Sequence, residues 1–311
     1  MKIYLAPLQG LTDWIFRESF YKHIGEFDKC FSPFIRVQNG EFVRHSQCRD
    51  ILPEHNLLQK PVPQFLGNDA DSFALFEELC VKHGYEEANI NLGCPFPKVA
   101  NRSLGAGLLS EPQTIEKLLH DIFDRTRLRI SVKCRLGYEE ATDFESLIPV
   151  FNRFPLTELI LHARTGKQQY KGEADAEAFA RYAPRLNMPV CYNGDICSVA
   201  DVERLLSLAP FVERIMVGRG ILQNPFLLSR LRGAELPDDE KSNRLKAFHR
   251  TITELCSEKY SGDLSILKRV TEMWEHQAVG VEDGRKIYKK VKKCRSVEGY
   301  KVVISESMIV V

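Results

Sequence analysis

Short apolar runs alternate with stretches of helical periodicity along most of the chain. The runs are Ile3–Ala6, Cys30–Arg36, Val62–Leu66, Ala88–Leu92, Ile130–Leu136, Glu158–His162, Pro189–Asn193 and Arg214–Val217. Several (YLA, ELILH, RIMV) are apolar nearly throughout, as strands covered on both faces are. Between them, apolar positions recur at helical spacing over Asp13–His23, Asp69–His83, Glu111–Arg125, Asp143–Arg153, Asp175–Ala183, Ser198–Ser207 and Pro225–Leu231. Asp69, Ser110 and Ser198 stand where N-caps belong. Eight strands, each followed by a crossover, predict a (β/α)8 TIM barrel. A doubly wound sheet usually has fewer strands and a Gly-rich turn after the first. Here the first strand runs into APLQGLTD. The stretch Gln38–Gln59 follows neither period and is predicted to be a loop insertion.

The alternation stops at GAELPDD, Gly233–Asp239, a boundary signal of Gly, Pro and acidic residues. The chain is therefore divided into a barrel, 1–235, and a small all-helical domain, 236–311. The predicted helices of the latter are Glu240–Tyr260, Asp263–Ala278 and Asp283–Lys293. In the last of them Arg285, Lys286, Lys289, Lys290, Lys292, Lys293 and Arg295 surround Ile287, Tyr288 and Val291. Such a face is either simply solvated or made for phosphates.

Barrels carry chemistry at the C-terminal ends of their strands. Polar and glycine residues gather at that end of each predicted strand. In order these are Pro7–Gln9, Arg36, Gln64 with Gly67, Asn91 to Cys94, Lys133 with Arg135, His162 with Arg164, NGD at Asn193–Asp195 and GRG at Gly218–Gly220. The last two motifs follow strands seven and eight, where barrels commonly bind phosphate. A GRG turn alone is most often a plain connection, but NGD in register beside it points to a phosphorylated ligand. Lys133, inside an apolar strand, would be costly to bury without an anion. Gln64 and His162 suit hydrogen bonding to a heterocycle, although a lone His is more often a satisfied core residue.

Net charge is +1, so affinity for an acidic partner has to come from local patterning. The nine cysteines are odd in number and never spaced CxxC, which suits free thiols in a reducing cytosol and excludes a zinc ribbon. No apolar stretch is long enough for a membrane span, and MKIYLAPLQG does not read as a signal peptide. A cytoplasmic monomer without metal is expected. Cys94 differs from the other thiols because Gly93 and Pro95 present it at a strand end.

Taken together, these motifs resemble those of the tRNA-dihydrouridine synthase family. APLQGLTD is similar to its APMEGVTD, QFLG to QLxG, NINLGCPFPKV to DxNxGCPxxKV and SVKCRLG to SVKxRxG. HARTGKQQYKGEAD, NGDI and MVGRGILQNPFL follow in the family's order. Leu8-Gln9 and Asn89 depart from the usual Met-Glu and Asp. The resemblance implies FMN, NADPH as reductant and a uridine of folded tRNA as substrate. It implies that Cys94 is the proton donor. It implies FMN contacts at Pro7, Leu8, Gln9, Gln64, Lys133, His162, Asn193, Gly194, Asp195, Gly218 and Arg219. Arg36, Asn91, Arg135, Arg164 and Tyr170 are expected to face substrate, and Lys268, Arg269 and Lys292 to contact tRNA. The stretches FIRV and CRDILPE are most similar to the C-type bacterial branch, which implies D-loop position 16.

Three rival readings remain. They are an FMN barrel acting on a free pyrimidine, a Schiff-base aldolase using Lys133, and a non-catalytic RNA-binding protein.

Overall fold

The computed structural model describes residues 1–307; the last four residues of the predicted helical domain lie outside them. Its strands are β1 (Lys2–Leu5), β2 (Lys29–Cys30), β3 (Ile35–Gln38), β4 (Glu41–Phe42), β5 (Gln64–Leu66), β6 (Glu87–Leu92), β7 (Arg129–Arg135), β8 (Leu159–His162), β9 (Val190–Asn193) and β10 (Arg214–Val217). Parallel pairing runs β2-β1-β10-β9-β8-β7-β6-β5-β3. Ring closure comes from a bridge between Phe31 and Val62, with Val62 N–H donating to Cys30 O and Ser32 N–H to Val62 O. The chain is therefore a closed (β/α)8 barrel with a (β/α) order unbroken from β5 onward.

The predicted second strand, Cys30–Arg36, is two pieces, β2 and β3, joined by Phe31–Phe34. Pro33 is the physical reason, since it lacks the N–H a ladder needs. β3 then turns back at Asn39-Gly40, both at positive φ, into the antiparallel β4. The predicted loop insertion thus holds the turn and second strand of a short hairpin, followed by two 3-10 helical segments, His45–Ile51 and Pro53–His55.

Inward positions follow the strand period of two. On β6 they are Glu87, Asn89 and Asn91, rising from the N-terminal end of the barrel to its mouth. At the bottom, Lys29 Nζ lies 2.9 Å from Glu87 and 2.6 Å from Glu158, and Tyr4 OH donates to Glu158 at 3.1 Å. Burial opposes the Lys29 charge, but Glu158 and Glu87 outweigh it and raise its pKa. The middle is apolar, with Tyr4, Phe31, Val62, Ile160, Cys191 and Met216 packed together. Polar groups return at the mouth.

Helices on the barrel's outside are α1 (Trp14–His23), α2 (Ala70–Lys82), α3 (Pro97–Ala100), α4 (Pro112–Phe123), α5 (Phe144–Phe151), α6 (Ala176–Tyr182), α7 (Val199–Leu208), α8 (Arg219–Gln223) and α9 (Leu227–Leu231). Asp13, Asp69, Asp175 and Ser198 each accept a backbone N–H as N-cap. After α9 come α10 (Asp238–Lys259), α11 (Asp263–Gly280), α12 (Gly284–Val291) and α13 (Val297–Glu306). The last was not expected from the sequence. It is fixed by Tyr300, whose hydroxyl lies 3.1 Å from Trp274 Nε1 and 2.8 Å from His249 Nδ1.

These helices dock on α1 and α8. Phe248 of α10 meets Phe16 and Phe20 edge-on. Gly280 of α11 touches the Gln223 carbonyl so closely that a Cβ would stand 2.4 Å from it. Arg269 corrects an expectation: it is 4% exposed, 2.9 Å from Asp13 Oδ1 and 2.6 Å from Leu11 O, so it joins the helices to the barrel instead of facing RNA. Lys259 takes the other Asp13 oxygen at 2.9 Å. Burying a charge this deeply requires such a partner.

Candidate active site

The mouth is built from the strand ends inward. Thr12 folds the loop after β1: its hydroxyl donates to Ala6 O at 2.9 Å and accepts Leu8 N–H at 2.7 Å. That sets Leu8 against Gly218, where a Cβ would come within 3.6 Å of a Leu8 methyl. Pro7 is half-buried and Gln9 exposed.

Gln64 and the two inward asparagines form a buried chain. Asn91 Nδ2 donates to Gln64 Oε1 at 2.7 Å, Gln64 Nε2 to Asn89 Oδ1 at 2.8 Å, and Asn89 Nδ2 to Ser131 Oγ at 3.0 Å. Asn91 Oδ1 then accepts both Gly93 N–H (3.0 Å) and Cys94 N–H (2.9 Å). Its oxygen is thus spent on orienting the Cys94 turn, a role the sequence did not reveal. Two asparagines at i and i+2 on one strand were the signal that they share the inner face.

Cys94 is half-buried, packed near Phe34, Leu66, Val99 and Leu104. Gly105, at φ +55, lies so close that a Cβ would stand 2.8 Å from the Cys94 carbonyl. Burial pushes the thiol pKa up, while the Phe96 N–H, Arg135, Lys133 and Arg36 only partly offset it. The thiol is therefore protonated at neutral pH and able to donate.

Lys133 reaches across the mouth to Asn193 Oδ1 at 3.0 Å, and Asn193 Nδ2 donates to Met216 O at 2.9 Å. No carboxylate stands within ion-pair distance of Lys133 among the described residues. Burial, with Arg135 nearby, brings its pKa down to about 8. His162 is held well below its ordinary range by burial and the cations around it, so its ring is neutral. Arginine can only donate. The 3.3 Å contact from Arg164 Nη1 therefore makes His162 Nε2 the acceptor and leaves the proton on Nδ1.

Asp195, at φ +33, organises the far side. It pairs with Arg164 and, at 2.8 Å, with Arg219, and it accepts Ala174 N–H at 2.9 Å. Burial raises its pKa, but these donors outweigh it and hold the carboxyl below the ordinary value. At Gly194 a Cβ would meet Ala174 at 2.7 Å, so only glycine fits.

Two arginines expected to face substrate make internal contacts. Arg135, 1% exposed, gives its donors to Gly93 O (2.9 Å), Thr165 O (2.8 Å) and Gln169 O (2.7 Å). Arg164, also 1% exposed, is held by Asp195 and by Gly172 O at 2.6 Å. Both are struts that fix loops. The surface they support is Tyr170, half exposed, with Arg135 and Arg219 at 5.4 and 5.2 Å from its ring centre. Arg36 is half-buried at the rim of β3. Lys268 on α11 and Lys292 beside α12 are exposed and away from this hydrogen-bonded network. Among the described residues, no group of His, Cys, Asp and Glu stands close enough to hold a metal, and no helix is long and apolar enough to cross a membrane.

Strand C-termini that gather a half-buried lysine without a carboxylate partner, a neutral histidine and a protonated thiol are where a (β/α)8 enzyme carries its site. A family model described as dihydrouridine synthase (Dus) matches residues 4–298, and the chain belongs to that family. It is an oxidoreductase. It is 28% identical to the tRNA-dihydrouridine(16) synthase of Neisseria meningitidis over 87% of this chain and 84% of that one. It is also 28% identical to the tRNA-dihydrouridine synthase B of Pasteurella multocida over 93% and 82%. Among solved structures, morphinone reductase superposes with a TM-score of 0.51 at 10% identity, over 76% of this chain and 87% of that one, and so shares the fold.

Proposed function

We propose that this protein reduces the C5–C6 bond of a D-loop uridine in tRNA, at position 16, with FMN as cofactor, NADPH as reductant and Cys94 as proton donor. The observation that carries this reading is the Cys94 thiol held at the mouth just beyond β6, beside the strand that carries Lys133. The site fits FMN. Lys133 is a half-buried cation without a carboxylate partner, and His162 Nδ1–H offers a hydrogen-bond donor at the same mouth. Pro7, Leu8, Gln9, Asn193, Asp195 and Arg219 complete the cradle.

When bound and reduced, FMN supplies a hydride for C6 of the uracil. The chain's own residues do the rest. Lys133 would supply positive charge to a bound anionic cofactor. Cys94 Sγ–H gives its proton to C5 and regains one from solvent. Asn91 and Arg135 hold the Cys94 turn, the first through the Gly93 and Cys94 N–H groups and the second through Gly93 O. Reaching this mouth requires the base to leave its stack.

Residues 236–311 serve as a tRNA-binding domain. Its basic face is α12, which buries Gly284, Ile287 and Val291 and exposes Arg285, Lys286, Lys289 and Lys290, with Lys292 and Lys293 just beyond. Exposed Lys268 on α11 is a further tRNA contact of this domain. Phosphate contacts of this kind position RNA and are weakened by salt. The protein works as a monomer in the cytoplasm.

The test maps dihydrouridine at each D-loop position in unmodified tRNA incubated with protein, FMN and NADPH. Product at U16, with Cys94→Ala reducing turnover roughly 100-fold or more while tRNA still binds, supports the proposal. Product at another position overturns the assignment to U16, and full activity in Cys94→Ala overturns the proton donor.

A further inference from the structure

The two sides of the mouth differ in how their cations are neutralised. On the β8–β10 side, Arg164 and Arg219 share Asp195. On the β3–β6 side, Arg36, Arg44, Lys98 and Arg102 have no carboxylate within ion-pair distance among the described residues. Arg36 Nη2 finds only Gln38 Oε1 at 2.7 Å, and its Nε is buried with no hydrogen-bond partner.

An exposed aromatic side chain lies in the same segment as Lys98 and Arg102. Phe96 is 58% exposed, two residues from Cys94. Pro95 and Pro97 restrict its backbone, which sits at φ −63 and ψ 128, and its carbonyl accepts Val99 N–H at 2.8 Å and Ala100 N–H at 2.9 Å as α3 begins. Its ring meets no other aromatic ring among the described residues. The turn from Cys94 to Gly105 closes on itself through Ala106 N–H to Cys94 O at 3.0 Å, and Asn68 Nδ2 ties Ser103 O to the loop after β5. Arg102 projects from this turn. Arg36 and Arg44 come from the β3–β4 hairpin next to it, where Val43 N–H donates to Arg36 O at 3.0 Å. The like charges of Arg102 and Arg44 are felt at Arg36.

We propose that this rim is a nucleotide clamp, in which Phe96 stacks on the base next to the one presented to Cys94 while Arg44 and Arg102, with Arg36, take the intervening phosphate. Exposed aromatic rings interleaved with cations are how single-stranded RNA is held, and stacking is tolerant of base identity. A ring fixed by flanking prolines loses little freedom on binding. The clamp supplies what an extruded uridine needs, since leaving the stack also disturbs its neighbour. The inference rests on the reading that the substrate is a uridine in RNA.

The test uses the flavin-loaded protein with unmodified tRNA. Phe96→Ala is expected to raise KM for tRNA roughly 5- to 100-fold, with kcat changing much less. Phe96→Trp, which keeps a stacking face, is expected to restore KM. The Arg44→Gln, Arg102→Gln double variant is expected to lower the slope of log affinity against log salt by about 1 to 2. An unchanged KM in Phe96→Ala, or failure of Phe96→Trp to rescue, overturns the stacking role. An unchanged salt slope overturns the phosphate role. A wild-type protein that makes no dihydrouridine in any tRNA overturns the reading beneath the clamp, and is distinguished from these outcomes by needing no variant.

Discussion

Two lysines point into the barrel, one near each end, and they are opposites. Lys29 at the N-terminal end lies between Glu87 and Glu158, and its pKa is raised. Lys133 at the C-terminal end has only the neutral Asn193 oxygen, and its pKa falls to about 8. A buried ammonium is stable when paired and costly when not. The first lysine is complete as the protein folds. The second has no counter-charge in the protein, and the proposed cofactor would supply one. One architecture thus separates stability from function by where it leaves a charge unmatched, as barrels do generally between their two faces.

Replacing each lysine by methionine should move different observables. Lys29→Met leaves Glu158, nearly buried, without its cation, and should cost about 3 kcal/mol in a denaturant titration. Its FMN affinity should match the wild type, and a loss of affinity would break the comparison. Lys133→Met removes an unmatched charge, so the ligand-free protein should be as stable as the wild type or more so. Its FMN affinity should fall about tenfold or more, measured by flavin fluorescence.

The pH dependence has a definite sign. With its folded pKa depressed below the unfolded value, Lys133 binds its proton less readily in the folded state. Its cost to stability is full below about pH 8 and disappears as pH rises toward the ordinary lysine range. The stability advantage of ligand-free Lys133→Met should therefore shrink over that interval. Lys29 behaves in the reverse sense: its contribution is present at neutral pH and is lost as pH rises through its raised pKa. A wild-type stability difference from Lys133→Met that is flat with pH would contradict the assignment.

The smallest effect belongs to the helical region. A Lys292→Ala, Lys293→Ala double variant should weaken tRNA binding severalfold and lower the salt slope by about 1 to 2, without touching FMN affinity. An unchanged slope would make this a merely solvated face.

The barrel was legible because its strands are short apolar runs whose polar ends all fall on one side. Cys94, Lys133, His162 and NGD could be picked out for the same reason. What the sequence hid are pairings made across long distances. Asp13 and Arg269 are 256 residues apart, and nothing local distinguishes Arg269 from the exposed Lys268 beside it. Arg135 and Arg164 were expected to face substrate because their motifs resemble those of the family. Their partners are backbone carbonyls and Asp195, and carbonyls leave no trace in residue types. Helix α13 was missed since VEGYKVVISE is rich in β-branched residues, and its helical state is decided by packing of Tyr300 and Ile304. The break after β2 was signalled by Pro33, a residue barred from a continuous ladder.

The most direct test loads the protein with FMN, reduces it anaerobically with a limited amount of NADPH, and adds unmodified tRNA while the flavin spectrum is followed. The account predicts visible flavin bands that bleach with NADPH and return on adding tRNA, with one dihydrouridine formed per flavin reoxidised. A flavin that stays bleached in the presence of tRNA, yet is reoxidised by a free pyrimidine base, would contradict it.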